Sequence, residues 1–309
     1  MEDKEKILGK GFKALRPKSK YSDDVIAPPY DVLNSEEARD LAKDKPYSFL
    51  HISKPEIDLP EDIQADDPRV YEKGLENLNK MINEHILIRD DKETLFIYKI
   101  TTTNHDQTGI AFVASIDAYE GNLIKKHEHT KPVKELDRIN NMKALNAQTG
   151  PVLLTYLDNI QLDKIINKYT IENQPIYDVN TREKINHRIW QITDINEINK
   201  ATNALNKLES LYIADGHHRS AAASQVRKSR MNDNSEHDGS ENYNHFLAVA
   251  FPKSEMKILD YNRLIKHTNG KSTNELIAMI EDNFKCTVSD KPVKPIEDKS
   301  FGMFTDGQW

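Results

Sequence analysis

The segment Leu211–Arg219 constrains the fold more than any other part of the chain. Leu211-Tyr212-Ile213-Ala214 is a short apolar run, and it reads as a buried strand. From His217 to about Lys228 the chain is Ala-rich and reads as a helix. Only Asp215-Gly216 lies between them. A strand must therefore pass into a helix through a tight turn, which belongs to a mixed α/β fold. A helix start presents unpaired N–H groups and a partial positive charge. Phosphates bind there readily. Gly216 lets the backbone approach a ligand closely. Arg219 offers a planar fork for phosphate oxygens. Asp215 suits Mg²⁺, which takes carboxylate together with phosphate oxygens. His217 and His218 can donate to phosphate or move protons. The alanines at 221–223 permit close packing on a sheet. A plainer reading has the histidines as caps and Arg219 in a surface ion pair. Two histidines, an Arg and a Gly at one turn favour a phosphate site.

A second constellation is His127-Glu128-His129-Thr130, flanked by Lys125, Lys126 and Lys131. Glu128 among these residues is a candidate general base. A salt-bridged surface glutamate is the alternative. His127, Glu128, His129, His217 and His218 could in principle ligate a transition metal. Neighbouring residues on a helix do not share a face, so His217 and His218 would chelate one ion poorly. The lysines and Arg219 would repel a dication and suit an anion such as a nucleotide phosphate.

The rest of the chain alternates helix and strand signals. Phe12–Pro17 suggests a short strand stopped by Pro17. Ala27-Pro28-Pro29-Tyr30-Asp31 is stiff and extended. A helix begins after Asn34, and another at Asp67-Pro68 carries Val70, Leu75, Leu78 and Ile82. Strands are expected over Thr94–Thr102 and Ile110–Tyr119, with a turn at Asn104–Asp106. A helix is expected over Val133–Gln148, with Leu136, Ile139, Met142 and Leu145 on one face and Gly150 as its C-terminal cap. Further strands are expected at Pro151–Tyr156, Lys184–Thr193, Phe246–Phe251 and Ile258–Leu264. Helices are expected at Asp194–Ser210 and Ser272–Asn283. Asn232–Asn244 reads as a mobile loop. The end of the chain, Phe301–Trp309, reads as a strand and a hairpin turn without its partner. That pattern suits a truncated chain or an ordinary frayed terminus.

Composition narrows the class. A chain of 309 residues can form two compact domains with a substantial core. A hydrophobic share of 37% against 30% charged is a soluble, globular balance. There is no apolar run of membrane-span length. Residues Met1–Lys6 are too polar for a signal peptide, so a cytoplasmic location is the expectation. Cys286 is the single cysteine, which excludes an internal disulfide and a multi-thiolate zinc site. The formal net charge of −7, with Lys and Arg spread among Asp and Glu, argues against a nucleic-acid partner.

Taken together, several segments resemble a known family. Asp215-Gly216-His217-His218-Arg219 after an apolar strand resembles the phosphate motif of the ParB/sulfiredoxin superfamily, and in this form its free-serine kinases. Lys13–Pro17, Ala27–Val32, Lys126–Thr130, Asp137-Arg138, Gly150-Pro151-Val152 and Tyr212–Arg219 together resemble the DUF1015 family, some of whose members are ATP-dependent serine kinases. The resemblance implies an α/β fold in three parts. These are an N-terminal α/β segment (1–105), a ParB/sulfiredoxin-like catalytic core (106–265), and a C-terminal α/β segment (266–309), shorter than in most of the family. It implies an Mg-dependent kinase that moves the terminal phosphate of ATP or ADP to free L-serine. Glu128 would be the base, with His127 and His218 as its catalytic companions. Asp215, Gly216, His217, His218 and Arg219 would hold the phosphates, with Asp215 also on Mg²⁺. Tyr30, Asp31, Thr130 and Arg138 would receive the serine, and Arg16 is a further candidate for its carboxylate. A rival is a ParB-like nucleotide-binding protein in DNA partitioning or regulation, which the acidic charge and the lack of a helix-turn-helix disfavour. Sulfiredoxin chemistry would need a cysteine where His217 stands.

Overall fold

The computed structural model describes residues 6–309. The reading of Met1–Lys6 as no signal peptide falls almost wholly on residues outside that range. The elements begin with β1 (Gly9–Lys10), β2 (Leu15–Pro17), α1 (Ser22–Val25), α2 (Ser35–Ala42), α3 (Leu50–Ser53), α4 (Pro68–Asn83) and β3 (Leu87–Arg89). Next come β4 (Leu95–Thr101), β5 (Asp106–Ser115), α5 (Ile116–Glu120), β6 (Ile124–Lys125), α6 (Pro132–Leu145) and β7 (Val152–Tyr156). They continue through α7 (Ile160–Glu172), β8 (Tyr177–Asn180), β9 (Asn186–Ile192), α8 (Ile195–Asn206), β10 (Leu211–Asp215), α9 (His217–Asp233), β11 (His245–Pro252) and α10 (Thr273–Glu281).

The fold is mixed α/β. The main sheet runs β6-β10-β7-β11-β5-β4-β9-β8, with β1 also on β5, and β2 pairs with β3 separately. β10 lies parallel to β6 and antiparallel to β7. That register places three things at one edge of the sheet: the exit of β6, the exit of β10 and the start of β7. Loops at the carboxyl ends of parallel strands are where α/β sheets usually build ligand sites.

One core holds this sheet and its helices together. Ile97, Ile110, Phe112, Leu154, Tyr156, Ile213 and Phe246 from the strands share it with Leu162, Ile166, Ala201 and Leu205 of α7 and α8. Met142 of α6 and Ala222, Ala223 and Val226 of α9 belong to it as well. Each large apolar side chain buried here contributes about 1.5–3 kcal/mol. The small alanines of α9 let it pack close. Gly109 serves the same end between strands: a Cβ there would meet the carbonyl oxygen of Ala250 at 2.3 Å. A second cluster, with Val25, Ile52, Leu78, Met81, Ile86 and Leu87, joins α4 to α6 through Leu145.

Several local signals act as the sequence suggests. Asn34 and Glu37 form a capping box on α2, Asp67 caps α4, and Asp194 caps α8. Others differ. The strand expected to reach Tyr119 stops at Ser115, whose side chain accepts from the N–H of Ala118 and starts α5. α6 ends at Leu145, not Gln148, because Asn146 takes the left-handed conformation (φ 49°); Gly150 is not its cap. Leu136 is exposed, so the buried face of α6 runs through Asn141, Met142 and Leu145. α9 continues to Asp233, and the following loop is tied by Asn234 and His237 to Glu241 and Tyr243.

The chain divides into two compact units, the second being Ile258–Trp309. In that unit Ser272 and Glu275 form a capping box on α10. Ser289 and Trp309 exchange backbone hydrogen bonds at 2.8 and 3.3 Å. The strand expected at Ile258–Leu264 is absent: this segment has no regular structure and its large apolar residues are exposed. The terminal hairpin is reduced to one bridge, Thr305 to Gln308. No helix of the described residues is long and apolar enough to cross a membrane.

Candidate active site

The parallel pairing of β6 and β10 sets Leu211 beside Ile124 and Tyr212 beside Lys125. The two strands therefore end together. Beyond β6 the segment 126–131 has no regular structure before α6 begins at Pro132. Beyond β10, Gly216 turns the chain into α9 with φ +100°. Among the described residues no side chain caps α9. Its first N–H groups thus lack the partner that Ser, Asp or Asn would supply, which is the state of a helix end that receives an anion.

The two constellations meet here. Glu128 is exposed (61%) and its Oε2 lies 3.7 Å from Nδ1 of His217, whose side chain is 4% exposed. The rings of His127 and His217 meet edge to face at 4.5 Å. The backbone N–H of His127 donates to His217 Nε2 at 3.4 Å, and that of Lys131 donates to His218 Nε2 at 3.0 Å. Burial lowers the His217 pKa below the usual histidine value, and the neighbouring His127 adds to this. His217 is therefore pushed toward its neutral form beside a carboxylate.

Arg219 is less free than its sequence suggests. Its Nη1 donates to the carbonyl of Pro151 at 2.7 Å, and its Nη2 pairs with Asp215. It ties the start of β7 to the end of β10. Gly216 makes room for it: a Cβ there would stand 3.1 Å from Arg219 Nε. Asp215 remains 62% exposed.

A further group joins α4, α6 and the segment before α2. The Arg138 guanidinium stands over the ring of Tyr30, and Asp137 accepts from Arg138 Nε at 2.8 Å and from the Tyr71 hydroxyl at 2.9 Å. Burial raises the Tyr30 pKa, opposed by the charges of Arg138 and Arg219, while Asp31 and Asp137 push it upward. Burial, then Asp137, pushes Tyr71 up to about 12. Asp31 is exposed. Thr130 donates to Glu135 at 2.8 Å and so braces the end of the 126–131 segment against α6. Tyr71 and Asp137 were not singled out by sequence reasoning as site residues; no spacing marks a contact between α4 and α6.

Arg16 lies elsewhere. It donates to Asp90 at 2.9 Å, to Tyr177 at 3.0 Å and to Gln191 at 3.2 Å. Its donors are committed to that network, which ties β2 to β8 and β9.

His127, Glu128 and His217 bring ligand atoms within 4.8 Å of one another, so these three could hold a metal. The N–H facing His217 Nε2 leaves the ring proton on Nδ1, the atom toward Glu128. A metal ion there would have to displace it. His129 and His218 lie outside this group.

The family described as "Protein of unknown function (DUF1015)" matches residues 10–309. No curated protein and no solved structure matches the chain.

Proposed function

The chain belongs to the DUF1015 family, and on that premise we propose that it is a kinase for a small hydroxyl substrate, with free L-serine as the acceptor and ATP or ADP as the donor. One observation carries the reading: an exposed carboxylate, Glu128, stands 3.7 Å from the buried His217 at a helix start with no side-chain cap among the described residues. A base and a phosphate-binding backbone thus share one small space. The choice of serine rests on the likeness of Asp215–Arg219 and His127-Glu128 to the free-serine kinases.

The chemistry follows from these positions. Glu128 takes the proton from the serine hydroxyl. The oxygen attacks the terminal phosphorus in line, the bond from phosphorus to the bridging oxygen breaks, and the shortened nucleotide leaves with its electron pair. The products are O-phospho-L-serine and ADP, or AMP when ADP is the donor. The first N–H groups of α9 stabilise charge on the phosphoryl oxygens. Arg138, held by Asp137 and stacked on Tyr30, receives the serine carboxylate, and exposed Asp31 faces its ammonium group. Exposed Asp215 fits a magnesium ion held mainly by phosphate oxygens and water, which would neutralise phosphate charge.

The test is direct. The protein is incubated with Mg²⁺, ATP or ADP, and each free amino acid in turn, and phosphoserine is measured. Product from serine is expected, with Glu128→Gln slower by roughly a hundredfold to ten-thousandfold. No phosphoserine with either donor, or a Glu128→Gln protein that keeps its rate, overturns the reading.

A further inference from the structure

We propose that His217 and His218 act as a two-point clamp that positions the loop carrying Glu128, by accepting hydrogen bonds from the backbone at its two ends. This rests on the reading of Glu128 as the base. The loop leaves β6 after Lys125 and has no regular structure until Pro132. His127 N–H donates to His217 Nε2 at 3.4 Å, and Lys131 N–H donates to His218 Nε2 at 3.0 Å. Glu128 lies between these two fastenings.

The adjacency of the two histidines now has a physical use. Successive residues on a helix point about 100° apart. That separation is poor for chelating one ion, and it lets two side chains reach two different points on a passing loop. His217 is buried, so it gives a fixed anchor against which the His127 ring packs at 4.5 Å. His218 is half-buried and reaches the far end.

The donor and acceptor roles separate this role from a phosphate contact. An imidazole nitrogen that accepts carries no proton. Nε2 of either ring therefore cannot donate to phosphate while the clamp is closed. The phosphate contacts fall to the backbone of α9, and the histidines set where the base stands. A base misplaced by about 1 Å can cost roughly a hundredfold in rate, so two hydrogen bonds to its loop have catalytic weight.

The experiment compares His218→Ala, His218→Gln and His218→Arg with the parent protein. Gln keeps an acceptor, whereas Arg supplies donors only. Amide hydrogen exchange is measured on the ligand-free proteins, and phosphoserine kinetics with ATP or ADP alongside. In His218→Ala and His218→Arg the Lys131 amide is expected to exchange about fivefold faster or more, and His218→Gln to restore slow exchange. The kcat should fall roughly ten- to a hundredfold in the Ala and Arg variants, with nucleotide KM changed less than about threefold. Thermal unfolding of each variant confirms that it is folded. Unchanged exchange at Lys131 overturns the clamp. So does a pattern in which Arg restores activity and Ala raises nucleotide KM, since that marks a phosphate donor. If the parent protein makes no phosphoserine, the kinase reading fails, and the exchange measurement still decides the clamp.

Discussion

The guanidinium carbon of Arg138 lies 4.1 Å from the centroid of the Tyr30 ring. On the proposed function, this planar cation, held over an aromatic face with Asp137 fixing its edge, would receive the acceptor's carboxylate. Lysine can make either contact alone, but its single ammonium cannot present a planar fork to Asp137 while lying flat on the ring. Arg138→Lys should raise KM for the amino-acid acceptor about tenfold and leave kcat within about threefold, because the lost contact is made before and during the reaction alike. Steady-state kinetics with varied serine would show this. A change confined to kcat would assign Arg138 to the transferring phosphate.

Gly216 holds φ +100° at the turn into α9. A side chain there is strained and also meets Arg219. Gly216→Ala should cost about 1–3 kcal/mol of stability. Urea unfolding with an unchanged m-value would measure it. A variant as stable as the parent would show that the turn relaxes without loss.

Arg219 binds two partners, the Pro151 backbone carbonyl and the Asp215 side-chain carboxylate. Arg219→Lys should therefore lose about 1–2 kcal/mol, since one ammonium cannot span both. Lysine would preserve stability if Arg219 served only as a phosphate cation. The same urea experiment separates the two.

Among the described residues His245 has no partner on Nδ1, and its pKa falls from 6.5 to about 4 through burial, with Lys10 and Arg227 adding repulsion and Asp117 opposing. The unfolded chain takes up a proton that the folded one excludes. The stability owed to this site is full above pH 6.5 and is lost as pH falls toward about 4. The loss should be on the order of 2 kcal/mol after allowing for partial exposure. His245→Gln should flatten the stability profile in that window. An equally steep profile in the variant would move the effect to other groups.

What the sequence disclosed, and what it hid, follows from range. Asn34, Asp67, Asp194 and Ser272 cap helices through contacts two or three residues away, so they are legible. The strand–turn–helix at 211–228 is legible for the same reason. The meeting of Glu128 with His217 depends on β6 pairing with β10 across more than eighty residues, which no local pattern encodes. α7 was not foreseen. Only Leu162 and Ile166 are buried in it, while Ile160 and Ile171 face solvent, so its apolar spacing carries little signal. The segment at 258–264 erred the other way: β-branched and aromatic residues suggest a strand, yet none of the described residues pairs with it. Arg219 and Arg16 show the same limit for side chains, because a guanidinium in a motif does not reveal which partners already hold it.

The short connection between α6 and β7 is fastened at three points. Asn146 turns it off the helix, Gln148 exchanges hydrogen bonds with the His245 carbonyl and the Leu247 N–H at 2.9 and 2.7 Å, and the Pro151 carbonyl is held by Arg219. It works as a ruler between the α6 terminus, the edge of β11 and the turn into α9. One residue inserted or deleted there would pull at least one fastening out of register. Tolerance of length change should accordingly be lowest along these six residues, although they form a surface loop, and a single added glycine should be felt at the turn into α9 before it is felt in the core.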